Sequence, residues 1–331
     1  MTFEARVAAV EAFGFTPRQA GFLVTVMLHA GVCLLRHYCA WSRIVYGQNA
    51  RDFAGRLVAD GFATTYDAAQ KGARLYHVQH KALYAAIGDP DSRHRKPMAL
   101  PRAVERLMVL DAVLIRRDVS WLATEQEKLA HFTTMLGTRL PRAHLPQLRF
   151  GSPPAETVRF FPDRLPIGVQ PEVRTTVFLY LVTRAAPVDF RAFLHRHAAL
   201  LGVLPAWTLR LLAPPHLGDA STRFLGACHD TLANPVRLST LDEVRWYFEA
   251  CRRLGAEPAQ AQDARFRRAQ QAFGSPRFRA LYRAWLRQGD AVLDDARSPL
   301  LGDALAHGSG EVEWHVLAHR YLHLASLVGT A

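Results

Sequence analysis

The chain has 331 residues, 50% hydrophobic and 21% charged, with 41 Lys+Arg against 29 Asp+Glu. That length and apolar content fit about two domains with real cores and exclude both a disordered chain and a disulfide-stapled miniprotein. The formal charge of +12 is uneven: net +5 over residues 1–100, +6 over 101–213 and +1 over 214–331, which points to a polyanionic partner, most simply nucleic acid.

The opening segment, MTFEARVAAVEAFGF, has two acids and no signal-peptide pattern. No run of about 18 apolar residues exists, so no membrane span is expected and a cytoplasmic protein is. Thr16-Pro17 starts a helix with a capping hydroxyl and a proline in the first turn. Ala20, Leu23, Val24 and Met27 follow at helical spacing, and Gly31 ends it. A second helix is read from about Cys33 to Val45, with Gly47 as its stop. A third starts at Gln48-Asn49 and stops at Gly61. Phe62–Tyr66, a polar turn at 67–72 and Ala73–Val78 then read as strand, turn, strand. Helix, helix, helix, hairpin is the layout of a winged helix-turn-helix, assigned to residues 1–88.

On the third helix Ala50, Phe53, Ala54 and Leu57 share one side, with Val58 at its edge. The other side carries Asp52, Gly55, Arg56 and Ala59, with Arg51 on the border. Gln48, Asn49, Arg51 and Arg56 are types that read base edges or hold phosphates. Arg36 and Arg43 are expected to hold phosphates from the preceding helix, and Lys71, Arg74 and His77 from the hairpin. The expected partner is double-stranded DNA, with self-association as a dimer or a protein partner in addition, and no membrane.

Residues 89–137 read as a linker with connecting helices; Arg93–Lys96 is a basic cluster that fits either a phosphate backbone or a solvated connector. Pro101 opens one helix, and Leu122–Leu136 is another. Residues 138–218 read as a small α/β domain. It has short strands at 148–150 and 157–161, a buried strand at Thr176–Val182, a helix after Asp189 and a second buried strand at Trp207–Leu212. Residues 219–331 read as mostly helical, so the fold class is mixed α+β.

No P-loop, GxGxxG or GxSxG occurs. The four cysteines, Cys33, Cys39, Cys228 and Cys251, form no CxxC pair and read as buried free thiols. His195-Arg196-His197 sits on an expected helix, which turns the two rings about 200° apart and away from a shared metal. His315, His319 and His323 fall at i, i+4, i+8 on an expected last helix that otherwise reads as ordinary amphipathic packing. Phe161-Pro162-Asp163 precedes the buried strand as the first acid of a Mg²⁺ nuclease site would. The strand itself offers Val177-Phe178-Leu179-Tyr180 where a second acid and a lysine belong. No catalytic residue, metal ligand or cofactor is therefore assigned.

Thr16-Pro17-Arg18-Gln19, Arg36–Trp41, Asn49–Gly61 and Arg74–Val78 together resemble the replication-relaxation family of bacterial mobile elements. The resemblance covers roughly residues 16–213. It implies a winged helix followed by an endonuclease-like α/β domain, often degraded. On that basis the chain is expected to be a non-enzymatic DNA-binding regulator or replication/transfer accessory factor of a plasmid or mobile element. The alternatives are a Mg²⁺-dependent DNA nuclease of the restriction-endonuclease-like fold, using Asp163, and a non-DNA-binding adaptor in a nucleoprotein complex.

Overall fold

The computed structural model describes residues 1–67, 74–116, 118–151, 155–254, 263–319 and 321. Helix α1 (Phe3–Glu11) is capped by the Thr2 hydroxyl, which accepts from the Ala5 amide. Helix α2 (Pro17–His29) begins on Thr16, whose hydroxyl caps Gln19 N–H while the Gln19 side chain accepts from Thr16 N–H. From Ala20 to His29 every residue of α2 is buried, so it is the central rod of the N-terminal part. Gly31 follows at φ +71°; a Cβ there would lie 2.5 Å from the His94 carbonyl oxygen, so this close turn needs glycine.

Strand β1 (Val32–Cys33), helices α3 (Leu35–Ser42) and α4 (Gln48–Ala59), and strands β2 (Ala63–Asp67) and β3 (Arg74–Val78) come next. The sheet order is β1-β3-β2, antiparallel throughout, with Val32 and Thr64 flanking His77. Ala50, Phe53, Ala54 and Leu57 are the buried residues of α4. Their spacing seals the helix onto α2 and α3, with Phe53 stacked on Tyr38 at 4.1 Å. Helix α5 (Lys81–Ala86), a 3₁₀ turn at Arg93–Arg95 and helix α6 (Leu100–Ile115) complete this part.

Beyond α6 lie β4 (Ser120–Leu122), α7 (Glu125–Leu136), β5 (Gln147–Phe150), β6 (Thr157–Phe160), β7 (Ile167–Gln170), β8 (Thr175–Leu181), α8 (Val188–Val203) and β9 (Trp207–Ala213). Five helices follow, α9 (Ser221–Cys228), α10 (Leu238–Leu254), α11 (Ala264–Phe273), α12 (Pro276–Gln288) and α13 (Ala291–Arg297), then α14 (Leu300–His307) and β10 (Gly310–Val316). The central sheet runs β10-β9-β8-β7-β4. β8, β9 and β10 are parallel, while β7 and β4 are added antiparallel. Alternation along β8 divides the core. Val177 and Leu179 pack into the N-terminal cluster with α6, whereas Phe178 and Tyr180 face α8. Helices α10, α11, α12 and α13 bury a third cluster around Phe248, Phe266 and Trp285.

The mixed α+β class is as expected, as are the helical placement of His195 and His197 and the buried strands β8 and β9. Several expectations need correction. Residues 89–137 are more than a linker: Ala103, Leu107 and Met108 of α6 lie in the N-terminal core, and β4 belongs to the central sheet. The α/β unit does not close at 218, because its edge strand β10 comes from 310–316 and α9–α14 are inserted between β9 and β10. The strands at 147–150 and 157–160 form a separate two-stranded sheet. His315 lies on strand β10, where Arg210 of β9 donates to Glu313, so the histidine row on a last helix does not exist; His323 lies outside the described residues.

One buried carboxylate fastens these parts. Asp111 on α6 accepts both arms of Arg36 (2.5 and 2.8 Å), the His37 ring (3.0 Å) and the Tyr321 hydroxyl. His37 Nδ1 accepts from the Leu34 amide, which leaves its Nε2–H to donate to Asp111. Burial alone would raise the Asp111 pKa, but the hydrogen bonds from Arg36 and His37 outweigh it and hold the group below the usual carboxylate range. Asp111→Ala should therefore cost about 3–5 kcal/mol in urea unfolding, because it strands Arg36 and His37. Tyr321→Phe should cost about 1.5–3 kcal/mol. Unchanged stability in Asp111→Ala would contradict this role.

Candidate nucleic-acid interface

The solvent face of α4 carries Gln48, Asn49, Arg51, Asp52, Gly55 and Ala59, all exposed. Gln48 Nε2 donates to Asp52 at 2.6 Å, which holds both side chains along the helix. Arg51 lies over the Tyr46 ring at 5.7 Å. A Cβ on Gly55 would meet nothing within 4 Å, so that part of the face is open. The turn before α4 exposes Val45 (86%) and Tyr46 (64%), which the sequence reading did not single out. Arg43 caps α3 in the left-handed region at φ +53° and is exposed. Arg74 is exposed at the hairpin end of β3, opposite Asp67. Lys71 lies outside the described residues.

Three expected DNA contacts face inward instead. Arg36 is held by Asp111. Arg56 turns back onto the α1–α2 loop, donating to the carbonyls of Gly14 (2.8 Å) and Phe13 (3.2 Å) and lying over the Phe15 ring at 4.9 Å. It thus anchors α4 to its own domain. His77 is fully buried, with Nε2 against the His94 carbonyl at 2.8 Å. Burial lowers its pKa and makes the ring inaccessible. The Arg93–Lys96 cluster is partly tied to the fold, with Lys96 exposed. Arg93 donates to the Arg164 carbonyl, His94 is buried, and Arg95 donates to the Pro90 carbonyl.

In the α/β part, Asp163 is ion-paired with Arg196 at 2.8 Å. Lys128 of α7 is buried, donates to the Leu165 carbonyl at 2.7 Å, and is pushed down to about 8 by its burial. His197 is stacked on Phe193 at 4.0 Å, with Nδ1 at the Phe193 carbonyl. Among the described residues no cluster of three or more His, Cys, Asp or Glu is arranged to hold a metal, and no helix is long and apolar enough to cross a membrane. Cys33 and Cys228 are buried free thiols, pushed up to about 12 by burial. Cys39 and Cys251 are half-buried, short of the burial expected. In comparison with protein-family models, curated proteins and solved structures, nothing matches the chain.

Two outcomes follow from this placement. Arg56→Ala should lower unfolding stability by about 1–2 kcal/mol, whereas Asn49→Ala and Arg51→Ala should stay within about 0.5 kcal/mol of the parent. Equal effects in urea unfolding would contradict the division between anchoring and exposed residues. The chain should also lose stability in acid. Burial pushes His29 to about 3 and His195 and His197 to about 4, against 6.5 for an unburied ring. The unfolded chain therefore takes up protons that the folded one refuses as pH falls below 6.5. Each ring should cost about 2 kcal/mol by pH 5. Unfolding midpoints at pH 7.5 and 5 check this; equal midpoints would contradict it.

Proposed function

We propose that the chain is a non-enzymatic, cytoplasmic DNA-binding protein whose first 88 or so residues act as a winged helix-turn-helix, with α4 as the helix that enters the major groove. The observation that carries this reading is the α4 face: Gln48, Asn49 and Arg51 exposed beside small Gly55 and Ala59, on a helix whose opposite side is sealed into the core. Asn and Gln suit the paired edge groups of adenine, and Arg those of guanine, each pairing giving about 1–3 kcal/mol of discrimination. The chain order α2, β1, α3, α4, β2, β3 and the strand order β1-β3-β2 support the winged-helix assignment. Arg43 and Arg74 flank the face and would hold phosphates.

The α/β part is proposed as an endonuclease-like unit without catalysis. Its strands β4-β7-β8-β9, with α8 crossing between the parallel pair, support the fold. The Arg196–Asp163 pair and the apolar run along β8 weigh against the Mg²⁺ nuclease alternative. With the replication-relaxation resemblance, this gives a regulator or replication/transfer accessory factor of a plasmid or mobile element. The adaptor reading keeps one observation in its favour, the exposed Val45 and Tyr46 beside α4.

Duplex binding across a salt series tests the proposal. With several phosphates contacted, log K should fall steeply with log salt, by about 0.9 per phosphate. Asn49→Ala/Arg51→Ala should weaken binding at least tenfold, with no Mg²⁺-dependent cleavage. Absence of duplex binding at low salt would overturn the proposal in favour of the adaptor.

A further inference from the structure

A cleft of about 650 Å³ lies between the N-terminal part and the central sheet, away from α4. The 3₁₀ turn and α6 wall one side, and the loop before β7 together with the end of β8 walls the other. Four arginines line it: Arg93, Arg102, Arg106 and Arg164. Three carboxylates line it as well; Glu105 is paired with Arg102 and Asp163 with Arg196, which leaves Arg93, Arg106 and Arg164 against Asp189. Arg93 donates to the Arg164 carbonyl and Arg106 to those of Arg93 and His94, and among the described residues neither has an ion-pair partner. The Arg164 guanidinium has no hydrogen-bond or ion-pair partner among the described residues. Burial and the neighbouring Arg164, Arg106 and Arg102 push Arg93 down to about 10, the mark of cations crowded together.

A second, independent feature is polar. Three buried atoms on residues lining the cleft have no hydrogen-bond partner: His29 Nδ1, His94 Nδ1 and Asp163 Oδ2. Buried polar atoms are almost always satisfied, so three around one cavity ask for a group that both accepts and donates. Both rings belong to histidines more than nine-tenths buried. The wall also has an apolar stretch, with Met98, Val109 and Leu181 beside Tyr180.

We propose that this cleft binds a phosphate group, carried by a nucleotide or by the phosphorylated end of a nucleic-acid strand. Arginine forks match phosphate oxygens two at a time, and several converging cations favour a multiply charged anion over a single carboxylate. The unsatisfied nitrogens and the Asp163 oxygen would meet sugar or base polar groups, and the apolar stretch would meet the base. The volume suits a nucleotide-sized ligand and excludes a duplex. This inference does not rest on the α4 reading.

The test is calorimetric titration of the full chain with inorganic pyrophosphate and with a deoxynucleoside 5′-monophosphate. A labelled single strand with a 5′-phosphate or a 5′-hydroxyl is titrated in parallel. Arg164→Gln is the principal variant, because that side chain holds nothing in the fold; its thermal midpoint should match the parent. Arg102→Gln is the second. Binding of the small phosphates, weakened at least tenfold in Arg164→Gln, supports the proposal. A tenfold preference for the 5′-phosphorylated strand identifies a strand end as the bearer, and equal strand affinities with tight mononucleotide binding identify a free nucleotide. Absence of binding by all probes, or affinities unchanged in both variants, overturns it. Asn49→Ala/Arg51→Ala should leave these titrations unchanged, which separates this result from the fate of the α4 proposal.

Discussion

The Asp111 carboxylate is the point on which the arrangement of this chain depends. It sits on α6, and α6 is shared: its apolar residues enter the N-terminal core while the helix also lies against β8. Arg36 and His37 of α3 and the Tyr321 hydroxyl all converge on the one side chain. A buried charge is costly unless every lone pair is used, and here the donors come from segments far apart in sequence. The network therefore fixes α3, and with it the turn into α4, relative to the central sheet. The cleft with the four arginines lies along the same α6.

Arginine does two different jobs here. Arg36, Arg56, Arg191, Arg196 and Arg210 are structural ties, each directed at a carboxylate or a backbone carbonyl inside the chain. Among the described residues Arg51 and Arg164 have no such tie: Arg51 lies over the Tyr46 ring and Arg164 lines the cleft beside α6. Net charge adds the two kinds together. Each arginine paired with a carboxylate is already cancelled in the formal +12, so the surplus sits on cations without an acidic partner, and their location matters more than the total.

Much of the fold was legible because the signals were local. Thr16-Pro17 and Gly31 bracket α2, and the spacing of Ala50, Phe53, Ala54 and Leu57 defines α4. The continuous apolar runs became β8 and β9. What escaped was short or non-local. β1, β4 and β7 have two to four residues, too few to show a period. β10 takes its meaning from pairing with β9 about a hundred positions earlier, and the histidine spacing concealed its Glu311–Val316 alternation. Two site errors were readable in principle. Alternation along β3 puts His77 on the same side as buried Leu75, and Arg56 lies next to the Phe53 edge of the α4 wheel rather than at the centre of its open face. The Arg36–Asp111 pair, by contrast, joins residues 75 positions apart and has no local sequence signal.

The central claim is that α4 is the element that meets DNA. A photo-crosslinking side chain placed at Ala59, exposed on the open face of α4, tests it most directly, with the same group at exposed Leu238 on α10 as the comparison. Duplex DNA should become attached through position 59, not through 238, and the attachment should fade as salt is raised. Attachment at 238 with none at 59 would contradict the claim and move the DNA surface to the helices inserted between β9 and β10.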